Sequence, residues 1–220
     1  MSTHGRTAAA IFDMDGLLID SEPLWTQAEH DVFSALGLDV HAANIPETLG
    51  LRIDQVVRLW YQRFPWQGPA QEEVAQRIIE RVIELVGITR PLLPGVESAL
   101  QLCRDQGLKI GLASASPMYM LEHVLDMFNL RHYFQQIVSA EHLPYSKPHP
   151  EVYLRAAGQL ETDPLACVTL EDSFNGMIAT KAARMRSIVV PAAEFGNDPR
   201  WALADVKLSS LTDLRPEHLG

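Results

Sequence analysis

The sequence predicts a Rossmann-like α/β fold, in which a parallel sheet core carries helices on both faces and an all-helical cap domain is inserted. Short apolar runs bounded by polar turns have the length and composition of buried parallel strands. Amphipathic segments of helical period separate these runs, as in folds that alternate strands and helices. A block of roughly 70 residues with helical periodicity and no convincing strand interrupts the alternation after the first strand.

The strand candidates are apolar runs that end in polar residues. They span residues 8–13, 108–113, 166–170 and 187–190, with shorter candidates at 136–139 and 204–208. The helices between them are predicted at residues 95–106, 117–127, 148–158 and 173–183. Because helices alternate with the strands, we expect the strands to be parallel.

The block that breaks the alternation contains helix candidates at residues 22–36, 53–64 and 70–86, separated by glycines and prolines. It follows the carboxyl end of the first strand, where open α/β sheets bind their ligands. We therefore interpret it as a lid over an active site, with a plain packing domain as the alternative. The predicted organisation is a catalytic core of residues 1–17 and 90–220 and a cap of residues 18–89 that selects the substrate.

Composition and charge exclude several classes of protein. The 220 residues are 47% hydrophobic and 21% charged, which is typical of a globular domain. Eighteen basic and twenty-eight acidic residues give a net charge of −10 without a basic run, which argues against a nucleic-acid partner. No apolar stretch approaches the ~20 residues of a membrane span, and residues 1–7 lack the apolar core of a signal peptide.

Cysteine usage adds an expectation about the compartment. Cys103 and Cys167 are far apart in sequence and lie in apolar surroundings, so we expect buried thiols and not a metal site. Buried unpaired thiols are typical of a reducing compartment. We expect a cytoplasmic monomer with no membrane or nucleic-acid partner.

Asp13 and Asp15 close the first predicted strand, and Gly16 follows them. Residues two apart in an extended turn can face the same pocket, so the two carboxylates would converge. Paired carboxylates bind a hard cation such as Mg²⁺, attack as nucleophiles or transfer protons. A calcium loop shares this spacing, but the apolar residues 17–19 supply none of the further oxygen ligands that it needs.

Small residues follow the strand at 108–113. Ser114, Ala115 and Ser116 precede Pro117, and backbone N–H groups at the start of the next helix could cradle a phosphate. Ser114 could add a hydroxyl donor. The structural alternative is a helix cap at Ser116 with Pro117 in the first helical position.

A lysine and two carboxylates complete the candidates. Lys147 is one of four lysines and lies between prolines before a predicted helix. Glu171 and Asp172 end the strand at 166–170, although Asp172 or Ser173 could instead cap the following helix. All these groups fall at the carboxyl ends of predicted strands beside the insertion. That assembly suits phosphoryl transfer, in which carboxylates hold Mg²⁺ while lysine and backbone amides neutralise the transferring group.

The order of these motifs resembles a known family. Residues 11–22, which read Ile-Phe-Asp-Met-Asp-Gly-Leu-Leu-Ile-Asp-Ser-Glu, resemble the first motif of the haloacid dehalogenase-like hydrolases. Ser114, Lys147 and the pair Glu171-Asp172 match its second, third and fourth motifs in order. The resemblance covers essentially the whole chain, including the cap, and it is closest to the beta-phosphoglucomutase-like branch.

The resemblance implies a role for each matching residue. Asp13 would attack phosphorus and form an aspartyl-phosphate, while Asp15 would protonate the leaving alkoxide and then deprotonate the attacking water. Mg²⁺, with Mn²⁺ or Co²⁺ as substitutes, would be held by the Asp13 side chain, the Asp15 carbonyl and Asp172. Glu171 would orient the metal shell or Lys147. The phosphoryl oxygens would be held by the loop around Asp13, Met14 and Asp15 and by Ser114, the Ala115 amide and Lys147.

The implied activity is a Mg²⁺-dependent phosphatase of small phosphorylated sugars or polyols, such as 2-deoxyglucose 6-phosphate, mannitol 1-phosphate and sorbitol 6-phosphate. Asp15 argues against a dehalogenase, which lacks this carboxylate, and the absence of lysines before residue 90 argues against a phosphonate-cleaving relative. A sugar phosphomutase is the alternative. It carries a cap lysine, and it has a cap histidine at the position where this chain has Trp25.

A non-catalytic binding or regulatory protein is the alternative of another class. It should have lost one of the four residues Asp13, Asp15, Lys147 and Asp172.

Substrate recognition should come from the cap. Residues 49–52 match the family's cap loop, whose arginine, here Arg52, would contact the end of the substrate away from the phosphate. Its alternative is a surface position on the helix that follows. Trp25 could stack on a sugar face or pack in the core, whereas Trp60, Tyr61 and Trp66 are expected to pack within the cap.

Overall fold

The computed structural model describes residues 7–38 and 51–220, and its centre is a six-stranded parallel sheet. The strand order is β3-β2-β1-β4-β5-β6. The strands are β1 (Ala9–Phe12), β2 (Lys109–Ser114), β3 (Gln136–Ser139), β4 (Cys167–Glu171), β5 (Arg186–Val189) and β6 (Val206–Lys207). Every predicted strand is present, and the predicted α/β class with a parallel sheet is confirmed.

The helices alternate with the strands after a helical insertion. The insertion holds α1 (Glu22–Ala35), α2 (Ile53–Arg63) and α3 (Gln71–Thr89). Along the sheet follow α4 (Val96–Asp105), α5 (Met118–Met127), α6 (Glu151–Gln159), α7 (Phe174–Ala182) and the short α8 (Pro216–Leu219). The helix predicted at 148–158 begins late because Pro150 occupies its capping position and Pro148 precedes it.

The central strand β1 has no exposed side chain, because helices cover both faces of the sheet. Ala10 and Phe12 belong to one apolar cluster, whereas Ala9 and Ile11 belong to a second cluster on the opposite face. This alternation follows from the period of two along a strand, and it explains why the run is apolar throughout. The cysteines behave as expected, since Cys103 and Cys167 are both buried and unpaired.

The helical insertion has an aromatic centre of its own. The ring of Phe33 on α1 lies 4.8 Å from that of Trp60 on α2 and 6.1 Å from that of Trp66. Tyr61 contacts Trp66 edge-on at 4.7 Å. The prediction that Trp60, Tyr61 and Trp66 pack within the insertion is therefore confirmed. Among the described residues, none of the helices combines the length and hydropathy that crossing a membrane requires.

Candidate active site

The sheet order brings three polar strand ends together. β1 lies between β2 and β4, and Phe12 is in register with Leu112 and Leu170. Asp13 therefore emerges level with the ends of both neighbours, and its backbone N–H donates to the Leu170 carbonyl at 3.0 Å. Parallel strands end at the same edge, so residues far apart in sequence share one pocket.

Asp13 is held on both carboxylate oxygens. The Met14 backbone N–H donates to Oδ1 at 2.8 Å, and Lys147 Nζ lies 2.7 Å from Oδ2. Burial raises the pKa of the Asp13 carboxyl to about 7, and the Lys147 ammonium opposes that rise. One oxygen is thus fixed by the backbone while the other lies against a cation, as a nucleophile aimed at a phosphoryl group requires.

Lys147 is buried between two carboxylates. Its Nζ donates to Glu171 Oε1 at 2.7 Å in addition to its contact with Asp13. Burial alone would lower the pKa of Lys147, but the charges of Asp13 and Glu171 outweigh it and raise that pKa. The ammonium therefore stays charged and fixed beside Asp13, where it can neutralise a phosphoryl oxygen.

Glu171 is fully occupied by protein donors. Tyr153 donates its hydroxyl to Oε1, which also accepts from Lys147. Oε2 accepts from the Ser173 backbone N–H at 3.3 Å and from the Ser173 hydroxyl at 3.2 Å. This is the arrangement that a lysine-orienting carboxylate requires. Ser173 also caps α7 by accepting from the Gly176 N–H, so the predicted serine cap is confirmed.

Asp172 differs from its neighbour because one of its oxygens is unused. Carboxylate oxygens of Asp13, Glu171 and Asp172 lie within 4.8 Å of one another, and Asp172 Oδ1 is buried without a hydrogen-bond partner in the described structure. Burial, followed by the charges of Glu171 and Asp13, raises the pKa of Asp172 well above its usual range. Clustered anionic oxygens with one orphaned acceptor fit a hard divalent cation such as Mg²⁺.

Asp15 accepts hydrogen bonds from both the core and the insertion. Ser21 Oγ and Trp25 Nε1 donate to Oδ1 at 2.7 and 3.0 Å, and Ser116 Oγ donates to Oδ2 at 2.7 Å. The alternative that Ser116 caps the next helix is wrong. Helix α5 begins at Met118 with Pro117 in the capping position and no side-chain cap, because the Ser116 hydroxyl is turned to Asp15.

The turn after β2 lies beside these carboxylates. Ser114 is buried, and its hydroxyl accepts from the Ser116 backbone N–H at 3.0 Å. Ala115 lies between the two serines, so its amide is part of the same tight turn. The structure thus brings Asp13, Met14, Asp15, Ser114, Ala115, Lys147, Glu171 and Asp172 to one edge of the sheet.

The sequence match agrees with this geometry. The haloacid dehalogenase-like hydrolase family matches residues 10–190, which include all four motifs. This chain is a member of that family.

The curated relatives of this hydrolase include sugar-phosphate enzymes. Hexitol phosphatase B of Escherichia coli K12 is 66% identical over 220 residues, covering 100% of this chain and 99% of the relative. The "Phosphorylated carbohydrates phosphatase" of Thermotoga maritima is 30% identical over 82% of this chain and 83% of its own length.

Solved structures of the family share the whole fold. CbbY from Rhodobacter sphaeroides in complex with phosphate superposes with a TM-score of 0.83 at 27% identity, over 97% of this chain and 99% of that one. A beta-phosphoglucomutase from Clostridium difficile gives 0.82 at 26% identity, over 96% and 94% of the two chains.

The guanidinium of Arg52 makes its hydrogen bonds within the protein. Its Nη1 donates to the carbonyls of Ala140 at 2.7 Å and Leu143 at 2.8 Å, and its Nε and Nη2 donate to Asp54 at 2.6 and 3.0 Å. Hydrogen bonds with Asp54 raise the pKa of Arg52, despite partial burial. Arg52 thus joins the insertion to the loop after β3, while residues 49 and 50 of the predicted cap loop lie outside the described residues.

Two groups of polar contacts at the site were not predicted from the sequence. Ser21 at the start of α1 and Ser116 in the turn after β2 both donate to Asp15, and Glu22 lies near the site. Burial, followed by the charges of Asp15 and Asp20, raises the pKa of Glu22 to about 7, and Glu22 in turn contributes to the raised pKa of Asp172. The signal in the sequence that could have indicated the contacts of α1 is the presence of hydrogen-bonding side chains at residues 21, 22 and 25, at and just after the end of the first motif.

Proposed function

We propose that this hydrolase is a Mg²⁺-dependent phosphatase of small sugar or hexitol monophosphates that works through an aspartyl-phosphate intermediate. The observation that carries the proposal is the placement of Lys147 and the carboxylates of Glu171 and Asp172 around Asp13, with Asp15 held two residues away. The 66% identity to a hexitol phosphatase supports the substrate class.

The first half-reaction divides between the two aspartates. An Asp13 oxygen would form a bond to phosphorus while the bond between phosphorus and the sugar oxygen breaks. Asp15 would give its proton to that leaving oxygen, so that an alcohol departs and not an alkoxide. Lys147, Ser114 and the Ala115 amide would meanwhile hold the phosphoryl oxygens, with Met14 directing its backbone N–H to Asp13.

The second half-reaction releases phosphate. Asp15, now ionised, would take a proton from a water molecule as the water oxygen bonds to phosphorus. The bond from phosphorus to Asp13 then breaks, which frees inorganic phosphate and restores both aspartates. Using one carboxyl as acid and then as base requires only that it stays in place between the two steps.

A divalent cation would bind at the Asp13 and Asp172 carboxylates together with the Asp15 carbonyl. Glu171 is less suited to direct coordination because Lys147, Tyr153 and Ser173 already use both its oxygens. The cation would supply positive charge to the phosphoryl oxygens as negative charge develops on them. Mg²⁺ suits these ligands, and Mn²⁺ or Co²⁺ are expected to substitute.

Substrate selection would come from the insertion. Arg52 has five N–H groups, and four of them are used by the contacts described above. The remaining N–H on Nη2 is the one that we propose for a substrate oxygen, with the others holding the insertion in place. A monomeric, cytoplasmic protein remains part of the proposal, and the two buried free thiols are compatible with a reducing compartment.

The test is phosphate release from hexose and hexitol monophosphates, including 2-deoxyglucose 6-phosphate, mannitol 1-phosphate and sorbitol 6-phosphate. We expect release with Mg²⁺, loss in excess EDTA, and a fall of at least about 10³-fold in Asp13→Asn. Asp126→Asn makes the same chemical change at an exposed position on α5 and should leave the rate unchanged.

The competing function is that of a sugar phosphomutase, because the fold is also similar to that of a beta-phosphoglucomutase. A mutase would isomerise a sugar 1-phosphate when a bisphosphate is added and would release little phosphate. That result would overturn the proposed hydrolysis. Absence of both activities would favour binding without catalysis.

A further inference from the structure

Trp25 reaches out of the helical insertion to a residue of the core. It lies on the first turn of α1, and its Nε1 is 3.0 Å from Asp15 Oδ1. Its ring packs at the same time against the main apolar cluster. The indole is therefore anchored by its body and presents a single N–H to Asp15.

The three hydrogen bonds on Asp15 are not equivalent. Oδ1 accepts from both Ser21 and Trp25, whereas Ser116 is the one donor to Oδ2 among the residues that the structure describes. A hydroxyl can rotate and either donate or accept, but an indole N–H can only donate. Oδ1 is therefore held as an acceptor, and Oδ2 is the oxygen with room for a proton and for a substrate oxygen.

We propose that Trp25 is a positioning residue that fixes the Asp15 carboxyl so that it exchanges its proton with substrate and water through Oδ2. The inference rests on the proposed phosphatase function. Trp25 would act only through Asp15, without touching the reacting atoms. A carboxyl without this donor could turn about its side-chain torsion and present either oxygen, which would lower the fraction aligned with the leaving group.

The test compares two leaving groups in Trp25→Phe. The phenylalanine keeps an aromatic ring against the apolar cluster and removes the N–H. A sugar or hexitol alkoxide needs a proton to leave, whereas the nitrophenolate of p-nitrophenyl phosphate leaves without one. Because kcat/KM covers the steps up to formation of the phosphoenzyme, it isolates the acid role of Asp15.

We expect Trp25→Phe to lower kcat/KM by about 10- to 100-fold for the sugar or hexitol phosphate that the unmodified protein hydrolyses best. The value for p-nitrophenyl phosphate should fall by less than about threefold, because that reaction does not need the acid. Trp60→Phe is the matched control, since Trp60 is a buried tryptophan of the insertion whose Nε1 has no partner among the described residues. It should leave both values within about twofold.

Equal losses on both substrates would overturn the inference and make Trp25 a packing residue. Unchanged values on both substrates would overturn it as well, because the indole N–H would then have no role. If the unmodified protein releases phosphate from neither substrate, the proposed function has failed, and this inference falls with it. Thermal unfolding of Trp25→Phe confirms that the variant is folded before its kinetics are compared.

Discussion

At the scale of single residues, Glu171 and Asp172 are adjacent in sequence but differ in their hydrogen-bond partners. Both oxygens of Glu171 accept from protein donors on Lys147, Tyr153 and Ser173, which favours the proposed lysine-orienting role. Asp172 keeps a buried oxygen without a partner and faces Asp13. In the sequence they are one acidic pair, and only their hydrogen-bond partners separate the proposed positioning carboxylate from the proposed metal ligand.

Gly16 lies so close to the Asp172 side chain that a larger residue would collide with it. A Cβ on Gly16 would lie 2.0 Å from Asp172 Oδ2, and the backbone there has φ +72°. We expect Gly16→Ala to push the Asp172 carboxylate aside and to raise the Mg²⁺ concentration for half-maximal activity by at least about tenfold. The measurement is activity as a function of Mg²⁺, with the Mg²⁺-dependent rise in Tm as an independent readout.

Gly37→Ala is the control for that prediction. Gly37 has φ +80°, but apart from its chain neighbours none of the described residues has an atom within 4 Å of its added Cβ. The two variants therefore share a backbone strain of about 1 kcal/mol, and only Gly16→Ala adds a collision with Asp172 of the proposed metal site. An equal Mg²⁺ requirement in both variants would show that Asp172 does not hold the cation.

The contact between Ser116 and Asp15 could not be predicted from the local sequence. Its position before Pro117 favours a helix cap, which is a local interaction that sequence can indicate. The observed partner, Asp15, is 101 residues away in sequence. Nothing in the local pattern contains that contact, because it depends on β1 and β2 being neighbours.

At the scale of elements, α1 has a polar face directed toward the site. Ser21, at its amino end, and Trp25 contact Asp15, and Glu22 adds a partly buried carboxylate nearby. The helix itself was predictable to within a residue from its periodicity. Its polar contacts were not, because they depend on how the insertion lies over the core.

Glu29, two turns along α1, should make stability depend on pH. Burial, followed by the charge of Glu22, raises its pKa from 4.5 to about 7. A carboxyl whose pKa is raised on folding disfavours the folded state once it ionises, so its cost grows between pH 4.5 and 7 and stays constant above. We expect Glu29→Gln to add about 1–2 kcal/mol to the free energy of unfolding at pH 8, a figure discounted for partial exposure.

The same substitution should add little well below pH 4.5, where Glu29 is protonated in both states. Urea unfolding at several pH values measures the difference. Glu72→Gln, at an exposed position on α3, gives the reference for the loss of one surface charge. A gain that is the same at all pH values would contradict the assignment of the effect to Glu29 ionisation.

At the scale of the whole molecule, the sequence predicted the layers of the fold but not the neighbours within the sheet. Alternating apolar and amphipathic segments were sufficient for the α/β class and for the helical insertion. They do not state that β1 lies between β2 and β4, which is what places Asp13 beside Lys147 and Glu171. The shared edge of the sheet was nevertheless predictable, since all parallel strands end on the same side.

Arg52 connects the two parts of the molecule, and this connection leads to a prediction about catalysis as a whole. Its Nη1 bonds to the carbonyls of Ala140 and Leu143 join the insertion to the loop that leads from β3 toward Lys147. We expect Arg52→Ala to lower kcat/KM by about tenfold or more for p-nitrophenyl phosphate, because the insertion loses its hydrogen bonds to the core.

The fall in kcat/KM of Arg52→Ala for a hexitol phosphate should be larger still, because the proposed contact of the remaining Nη2 N–H with the sugar is also removed. Arg58→Ala, at an exposed position on α2, which begins directly after Arg52, controls for the loss of positive charge near Asp54. A loss confined to the hexitol phosphate would limit Arg52 to recognition, and a loss equal on both substrates would limit it to holding the insertion.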